Sequence, residues 1–268
     1  MTIVKWYRSQ RADFGPVAAT WLLWRVLWRR LYVVVCNKVL PRRFKCPCCG
    51  WEGRRFFDYI EMGYTIRNCA CPRCDSHPRH RALFLWLRDD YRIRDRRGVA
   101  LVFAPERALR PLWADATGLR VIRTDVDAGR DIEVLADVMH LPFANQKADV
   151  IWCHHVLEQV KDDRQALREF FRVLRSGTGE LIISAGMTQS STRELGGVDK
   201  ALSGNRRLYG PDFVQRLIEA GFVVKEMSSG LNSAELREYR IDPQPFYCCR
   251  NDSNIRLFDG QNRNGTRP

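Results

Sequence analysis

Two tight cysteine turns constrain this chain more than any other feature. Cys46-Pro47-Cys48-Cys49-Gly50 and Cys71-Pro72-Arg73-Cys74 repeat a Cys-Pro-x-Cys pattern, separated by the 21 residues from 50 to 70. Each such turn presents two thiolates while backbone N–H groups point at the sulfurs, and tetrahedral Zn2+ takes four soft ligands. Cys46, Cys49, Cys71 and Cys74 are the best-spaced set for a zinc ribbon. Cys48 and Cys69 fall at the wrong spacing, although an exchange of Cys69 for Cys71 stays open. A closed four-cysteine site has no open coordination position, so its expected contribution is folding energy for a segment too small to build its own core. His77 and His80 follow the second turn and are expected to lie outside the ligand set.

Charge is distributed unevenly. The 268 residues carry 44 Lys+Arg and 31 Asp+Glu, a formal net charge of +13. Residues 1–45 hold ten basic side chains against Asp13, residues 46–98 hold eleven against seven acids, and from 99 onward 23 meet 23. The whole excess therefore belongs to the N-terminal part. A basic surface serves nucleic acid, an anionic membrane face or an acidic substrate, and total charge does not choose among them.

Residues 17–40 read as a helix ended by Pro41. Trp21, Trp24 and Trp28 fall within about 60° of one another on it, with Arg25 and Arg29 beside them. Tryptophan beside arginine suits a helix lying in a membrane interface. Packing on its own domain, or on a second copy of the chain, accounts for the pattern equally well. A spanning helix is disfavoured, since each central Arg costs about 2.5–3.5 kcal/mol on insertion scales. The same arginines interrupt any secretory signal. Clustered cysteines point to metal ligation in a reducing compartment. The expected location is cytoplasmic, peripheral to the inner membrane or homo-oligomeric through residues 17–40.

Organisation follows: a basic amphipathic helical arm over 1–43, the ribbon over 44–76, a helix and linker over 77–98, an α/β domain over 99–250 and a flexible tail over 251–268. In the α/β part, strands are expected at 99–104, 119–124, 134–138, 149–153, 180–185, 222–227 and 245–250, and helices at 106–115, 162–175 and 211–220. Short strands alternating with amphipathic helices argue for a doubly wound sheet. The first strand runs into a turn without G-x-G-x-x-G, so that turn alone is weak support for a cofactor. The strand-end carboxylate Asp125 is placed to accept hydrogen bonds from ribose hydroxyls, although a strand-end Asp such as Asp125 or Asp149 also serves simply to cap the following turn.

The order of pieces resembles the class I S-adenosylmethionine-dependent methyltransferases. The residues that carry the likeness are Asp137 with Leu141-Pro142-Phe143, Asp149, His155 to Glu158, Asp162-Asp163, Ala166-Leu167, Glu169, Arg172-Val173-Leu174 and Gly177. A bacterial subgroup with a Cys-Pro-x-Cys ribbon is closer still, matched by Arg79-His80-Arg81 with Leu83 and by Leu101 with Phe103-Ala104-Pro105-Glu106. The resemblance implies a Rossmann-like sheet of seven strands, the last antiparallel, with S-adenosylmethionine over the carboxyl ends of the first strands. It implies that Phe103, Ala104 and Glu106 approach the methionine part, Asp125 and Val126 the ribose, and Asp137 and Val138 the adenine. His154 and His155 would border the methyl group and the acceptor, His154 also touching the cofactor. Departures are Val102 in place of an acid, Gln159 in place of a second His, Ser176-Gly177-Thr178 in place of Gly-Gly, and the stretch 187–206.

The leading expectation is methyl transfer to a small-molecule or lipid-like acceptor near the membrane. RNA methylation through the ribbon and arm is the alternative, disfavoured by the electrically neutral catalytic half. A non-enzymatic binding subunit on the same fold is the third.

Overall fold

In the computed structural model the chain is described over residues 3–129 and 131–251. Of the expected flexible tail, only Asn251 is therefore described, and it is buried, its amide donating to the carbonyls of Phe171 and Leu174. Helix α1 (Ile3–Phe14) and the long helix α2 (Pro16–Val39) form the arm; Gly15, at φ 84°, turns the chain between them. The cysteine module has two antiparallel pairs, β1 (Phe44–Lys45) with β2 (Glu52–Gly53) and β3 (Phe57–Ile60) with β4 (Thr65–Ala70). Helix α3 (Pro78–Leu85) leads out of it. Then follow β5 (Gly98–Phe103), α4 (Arg110–Asp115), β6 (Leu119–Asp125), β7 (Val134–Leu135), β8 (Val150–His154), α5 (Asp163–Val173) and β9 (Glu180–Ser184). A hairpin of β10 (Arg193–Asp199) and β11 (Asn205–Leu208) precedes α6 (Phe213–Glu219), β12 (Val223–Met227), α7 (Ser233–Glu238) and β13 (Phe246–Arg250).

Seven strands form one sheet in the order β12-β13-β9-β8-β5-β6-β7. Only β13 runs antiparallel to its neighbours. Alternation along the strands makes two apolar faces. Leu101, Phe103, Ile151 and Ile183 meet Leu167 and Phe170 of α5 and Phe213 and Leu217 of α6. Ala100, Val102, Trp152 and Ile182 face the other way, against α3, α4 and the cysteine module.

Expected and observed elements differ in places. The helix expected from 106 starts as a 3-10 turn at Arg107–Leu109, and the strand over 134–138 shortens to Val134–Leu135. Within the expected linker over 92–98 Ile93 is fully buried, and Tyr91 just before it stacks on Trp86, while Arg92, Arg94, Asp95, Arg97 and Gly98 are exposed. Helices α1 and α7 and the β10–β11 hairpin were not foreseen. Arg81 belongs to the buried frame, giving its guanidinium to the carbonyls of Cys69, Ser76, Tyr239 and Arg240 at 2.6–3.0 Å. It stitches the cysteine module to the end of α7.

The helix of the arm packs on its own domain along one face and leaves the other exposed. One face of α2, with Ala19, Leu22, Val33 and Cys36, is buried, and Arg29 pairs with Asp58 of β3 at 2.6 Å. The opposite face exposes Val17, Trp21, Trp24, Trp28, Leu31, Val35 and Val39, with Trp24 61% accessible. Their steps of four and three residues keep them in one stripe. Among the described residues no helix is long and apolar enough to cross a membrane.

Candidate active site and cysteine cluster

A cavity of about 410 Å³ opens over the carboxyl ends of β5, β6 and β8, within the range of small-molecule sites. Phe103, Ala104, Asp125, Val126, Asp137, Val138 and His155 line it, joined by Thr124, Met139, Gln159, Lys161 and Arg206. Two non-glycine residues there have left-handed backbone, Ala104 at φ 47° and His155 at φ 54°. Such conformations cost about 1–3 kcal/mol and persist where surrounding structure over-determines them. At Ala104 the turn that normally uses glycine is made with the smallest side chain.

Asp125 ends β6 with its carboxylate in the wall, one oxygen accepting from the Asp127 amide at 3.3 Å. Val126 beside it, 66% exposed, adds an apolar side chain to the wall. Asp137 accepts from the Met139 amide at 2.9 Å. Asp149 plays a different part. It accepts from the Val99 amide at 2.8 Å and pairs with Arg175 at 2.6 Å. A Cβ on Gly98, whose φ is +113°, would lie 2.1 Å from its oxygen. Asp149 is a cap between strands.

His155 Nδ1 sits 2.9 Å from Oε1 of Glu158, which also accepts from the Gly186 amide at 2.8 Å. Burial pushes the Glu158 carboxyl up, but the hydrogen bond and charge of His155 outweigh it and hold the group below the ordinary glutamate value. An ionised Glu158 fixes the proton on Nδ1 and leaves Nε2 as the basic nitrogen. Sequence reading missed this role for Glu158. The His155-x-x-Glu158 spacing, one helical turn, was the available signal. Lys161 and Arg206 were missed as well, because they reach the cavity from a loop and from the unforeseen strand β11.

Two expected site residues lie elsewhere. Glu106 turns away from the cavity to accept from Trp152 Nε1 at 3.1 Å, and burial raises its pKa. His154 is 4% exposed, its ring 3.9 Å from that of Trp152 and its Nδ1 2.6 Å from Ser184 Oγ. The reason is strand geometry. His154 stands two residues after Trp152 and shares its face, whereas His155 lies beyond the strand and its left-handed backbone redirects the side chain. Around His154 the polar groups are incompletely matched. His154 Nε2, His80 Nε2 and Arg79 Nε are buried with no hydrogen-bond partner among the described residues. His80 Nδ1 accepts from the His77 amide at 3.1 Å, so its Nε2 is a donor.

The four expected thiols come together: the sulfurs of Cys46, Cys49, Cys71 and Cys74 all lie within 4.8 Å of one another. Cys46–Cys74 and Cys49–Cys71 are each 3.6 Å apart. Four sulfurs about 2.3 Å from a tetrahedral Zn2+ are about 3.8 Å apart, so the donor set fits that ion. Cys69 stands outside the cluster, which closes the alternative with Cys71. Cys48 is not one of the four, but its thiol abuts those of Cys46 and Cys74, and its sulfur is 3.9 Å from the His80 carbonyl.

The β10–β11 turn ties the arm to the lip of the cavity. Gln159 donates to the Ser203 carbonyl at 3.2 Å, Tyr64 of the cysteine module meets Ser203 Oγ at 2.9 Å, and Lys200 pairs with Asp13 of α1 at 2.6 Å.

Residues 108–183 match the family model described as "Methyltransferase domain". That segment contains Asp125, Asp137, His155 and Glu158, and the match identifies an enzyme of the methyltransferase kind. No curated protein matches the chain. Among solved structures, a (4+2)-cyclase, SpnF, is 21% identical with a TM-score of 0.41, covering 55% of this chain and 57% of its own. The chain thus spans little more than half of that protein. An S-adenosylmethionine-dependent methyltransferase from Mesorhizobium loti is 15% identical over 57% of this chain and 89% of its own, with a TM-score of 0.41. A Bacillus halodurans protein titled a methyltransferase is 16% identical over 61% of this chain and 97% of its own, with a TM-score of 0.40.

Proposed function

We propose that the chain transfers the methyl group of S-adenosylmethionine to a small-molecule or lipid-like acceptor at the cytoplasmic face of the inner membrane. The observation that carries this reading is the cavity in which Asp125, Asp137 and the His155–Glu158 pair meet around an apolar wall. The cofactor supplies a methyl group already activated on a sulfonium. Asp125 accepts the ribose hydroxyls, as a strand-end carboxylate does in doubly wound sheets. Asp137 and the backbone of Val138 take the adenine edge, and Val126 covers it. The turn at Ala104 leaves room for the methionine part, while Val102 is buried in the opposite layer and offers it nothing. His155 Nε2 accepts the proton an acceptor hydroxyl or amine loses as it is methylated.

Cys46, Cys49, Cys71 and Cys74 would hold Zn2+, which would brace the module that α2 and α3 flank. The exposed stripe of α2, on an arm of +9, supports docking on an anionic membrane, and the Lys200–Asp13 and Tyr64–Ser203 contacts set that arm beside the cavity.

Calorimetry with S-adenosylmethionine tests the enzyme reading; silence at about 1 mM cofactor removes it. Label from the cofactor methyl is expected in the organic extract of membranes, and its appearance in RNA instead overturns the acceptor class. Cosedimentation with anionic vesicles is expected to be lost in Trp24→Ser/Trp28→Ser. Undiminished binding removes the membrane.

A further inference from the structure

A second cavity, of about 540 Å³, lies between the cysteine module and the segment that joins α7 to β13. It shares no wall residue with the cavity over β5 and β6. Five arginines face it, Arg43, Arg54 and Arg55 from one side and Arg237 and Arg240 from the other. The single acid in the wall, Asp242, is taken by Arg240 at 2.7 Å. Among the described residues no carboxylate pairs with Arg43, Arg54, Arg55 or Arg237, and Nε of Arg55 is buried without a hydrogen-bond partner.

Guanidinium groups crowded round one cleft repel each other, and a partly buried cation without a counter-charge is costly. The cluster is nevertheless held from behind. Asn37 Oδ1 accepts from the amides of Arg54 and Arg55 at 2.7 and 2.8 Å, and Arg81 donates to the Arg240 carbonyl at 2.9 Å. Both walls are thus anchored from behind, one by half-buried Asn37 and the other by buried Arg81, and the like charges stay together.

We propose that this cleft binds a phosphate group, a phosphomonoester or pyrophosphate, carried by an anionic lipid. The planar N–H fork of arginine matches phosphate oxygens two at a time, and several forks converging suit an anion of more than one charge. A lipid is favoured over a soluble ester by position. Val39, exposed at the end of the apolar stripe, is four residues from Arg43, at most about 14 Å along the chain, so acyl chains and headgroup meet adjoining surfaces. RNA is disfavoured because Phe44, the one aromatic ring in the wall, is buried and offers no face for stacking a base. The proposal does not depend on methyl transfer.

The full-length protein, titrated calorimetrically with inorganic pyrophosphate, is expected to bind it, with affinity falling at least about tenfold, or about 1.4 kcal/mol, in Arg54→Gln/Arg55→Gln/Arg237→Gln. S-adenosylmethionine affinity and thermal midpoint serve as controls for folding. The single substitution Arg237→Gln, on exposed α7, is expected to weaken binding severalfold and guards against a misfolded triple variant. Flotation with phosphatidylcholine vesicles containing phosphatidic acid or phosphatidylserine at equal charge separates the sources. A preference for phosphatidic acid that the triple variant loses supports the lipid phosphate. Equal binding to both vesicles overturns the lipid assignment. Absence of pyrophosphate binding, or binding unchanged by the substitutions, overturns the site, as does an RNA oligonucleotide that binds through these arginines where pyrophosphate does not.

Discussion

Glu158 joins His155 at 2.9 Å and in doing so ties three loops at the carboxyl edge of the sheet. Its carboxylate holds His155 after β8 and the Gly186 amide after β9, and its carbonyl accepts from the Arg206 amide of β11 at 2.8 Å. The residue that orients the candidate base also assembles the rim around it.

His155→Ala is expected to lower kcat about 100-fold, the usual worth of a positioned base, with little change in cofactor affinity. Glu158→Gln keeps the shape but removes the charge that fixes the imidazole, so the pH–rate profile should shift along with kcat. Because its folded pKa is depressed, ionised Glu158 stabilises the fold fully above the ordinary value of 4.5 and loses that contribution as pH falls through the lower folded value. The melting temperatures of wild type and Glu158→Gln should therefore differ at pH 7 and converge in acid.

Asp125→Ala should weaken S-adenosylmethionine binding by about 1.5–3 kcal/mol, the range for hydrogen bonds to a charged group. Asp149→Ala should leave that affinity unchanged and lower stability instead, since its carboxylate serves Val99 and Arg175. Calorimetry and urea unfolding on the two variants separate the roles.

Purified protein should contain one zinc per chain. Cys74→Ser should lose the metal and melt at lower temperature, while Cys69→Ser should retain it, as measured by elemental analysis. Burial pushes the Cys69 thiol up to about 11, so iodoacetamide at neutral pH should leave Cys69 unmodified.

Asp163 opens α5 and accepts from Tyr209 Oη at 2.6 Å and Arg216 at 2.7 Å, with Arg207 at 3.8 Å. Burial raises its carboxyl, and Tyr209 and the two arginines bring it below the ordinary value. Removing its charge leaves Arg207 and Arg216 with the exposed Glu194 as their remaining counter-charge, so Asp163→Asn should lower stability in urea unfolding, by less than the roughly 3–5 kcal/mol of a wholly unpaired buried charge. That difference should shrink as pH falls below the ordinary aspartate range, where wild-type Asp163 also becomes neutral.

Much of this architecture is written locally. Cys46, Cys49, Cys71 and Cys74 were legible because each turn is closed by neighbours in the chain, and the apolar runs alternating with amphipathic segments pointed to a doubly wound sheet, whose seven strands the family resemblance supplied. Asp125 was legible because a strand end points to one edge of the sheet, and Asp137, which lies in the same cavity wall, came from the family resemblance. Where a side chain's surroundings come from distant residues, the sequence was silent. His154 and His155 are adjacent, yet only the backbone turn at φ 54° sends one to the cavity and leaves the other under Trp152. Glu106 looked like a cofactor contact until Trp152, on another strand, claimed it. The five-arginine cleft draws on both ends of the described chain, and nothing in either segment announces the other. Spacing and periodicity set what a segment becomes; packing between segments, anchored here by Arg81 and Asn37, set which charges had to face one another.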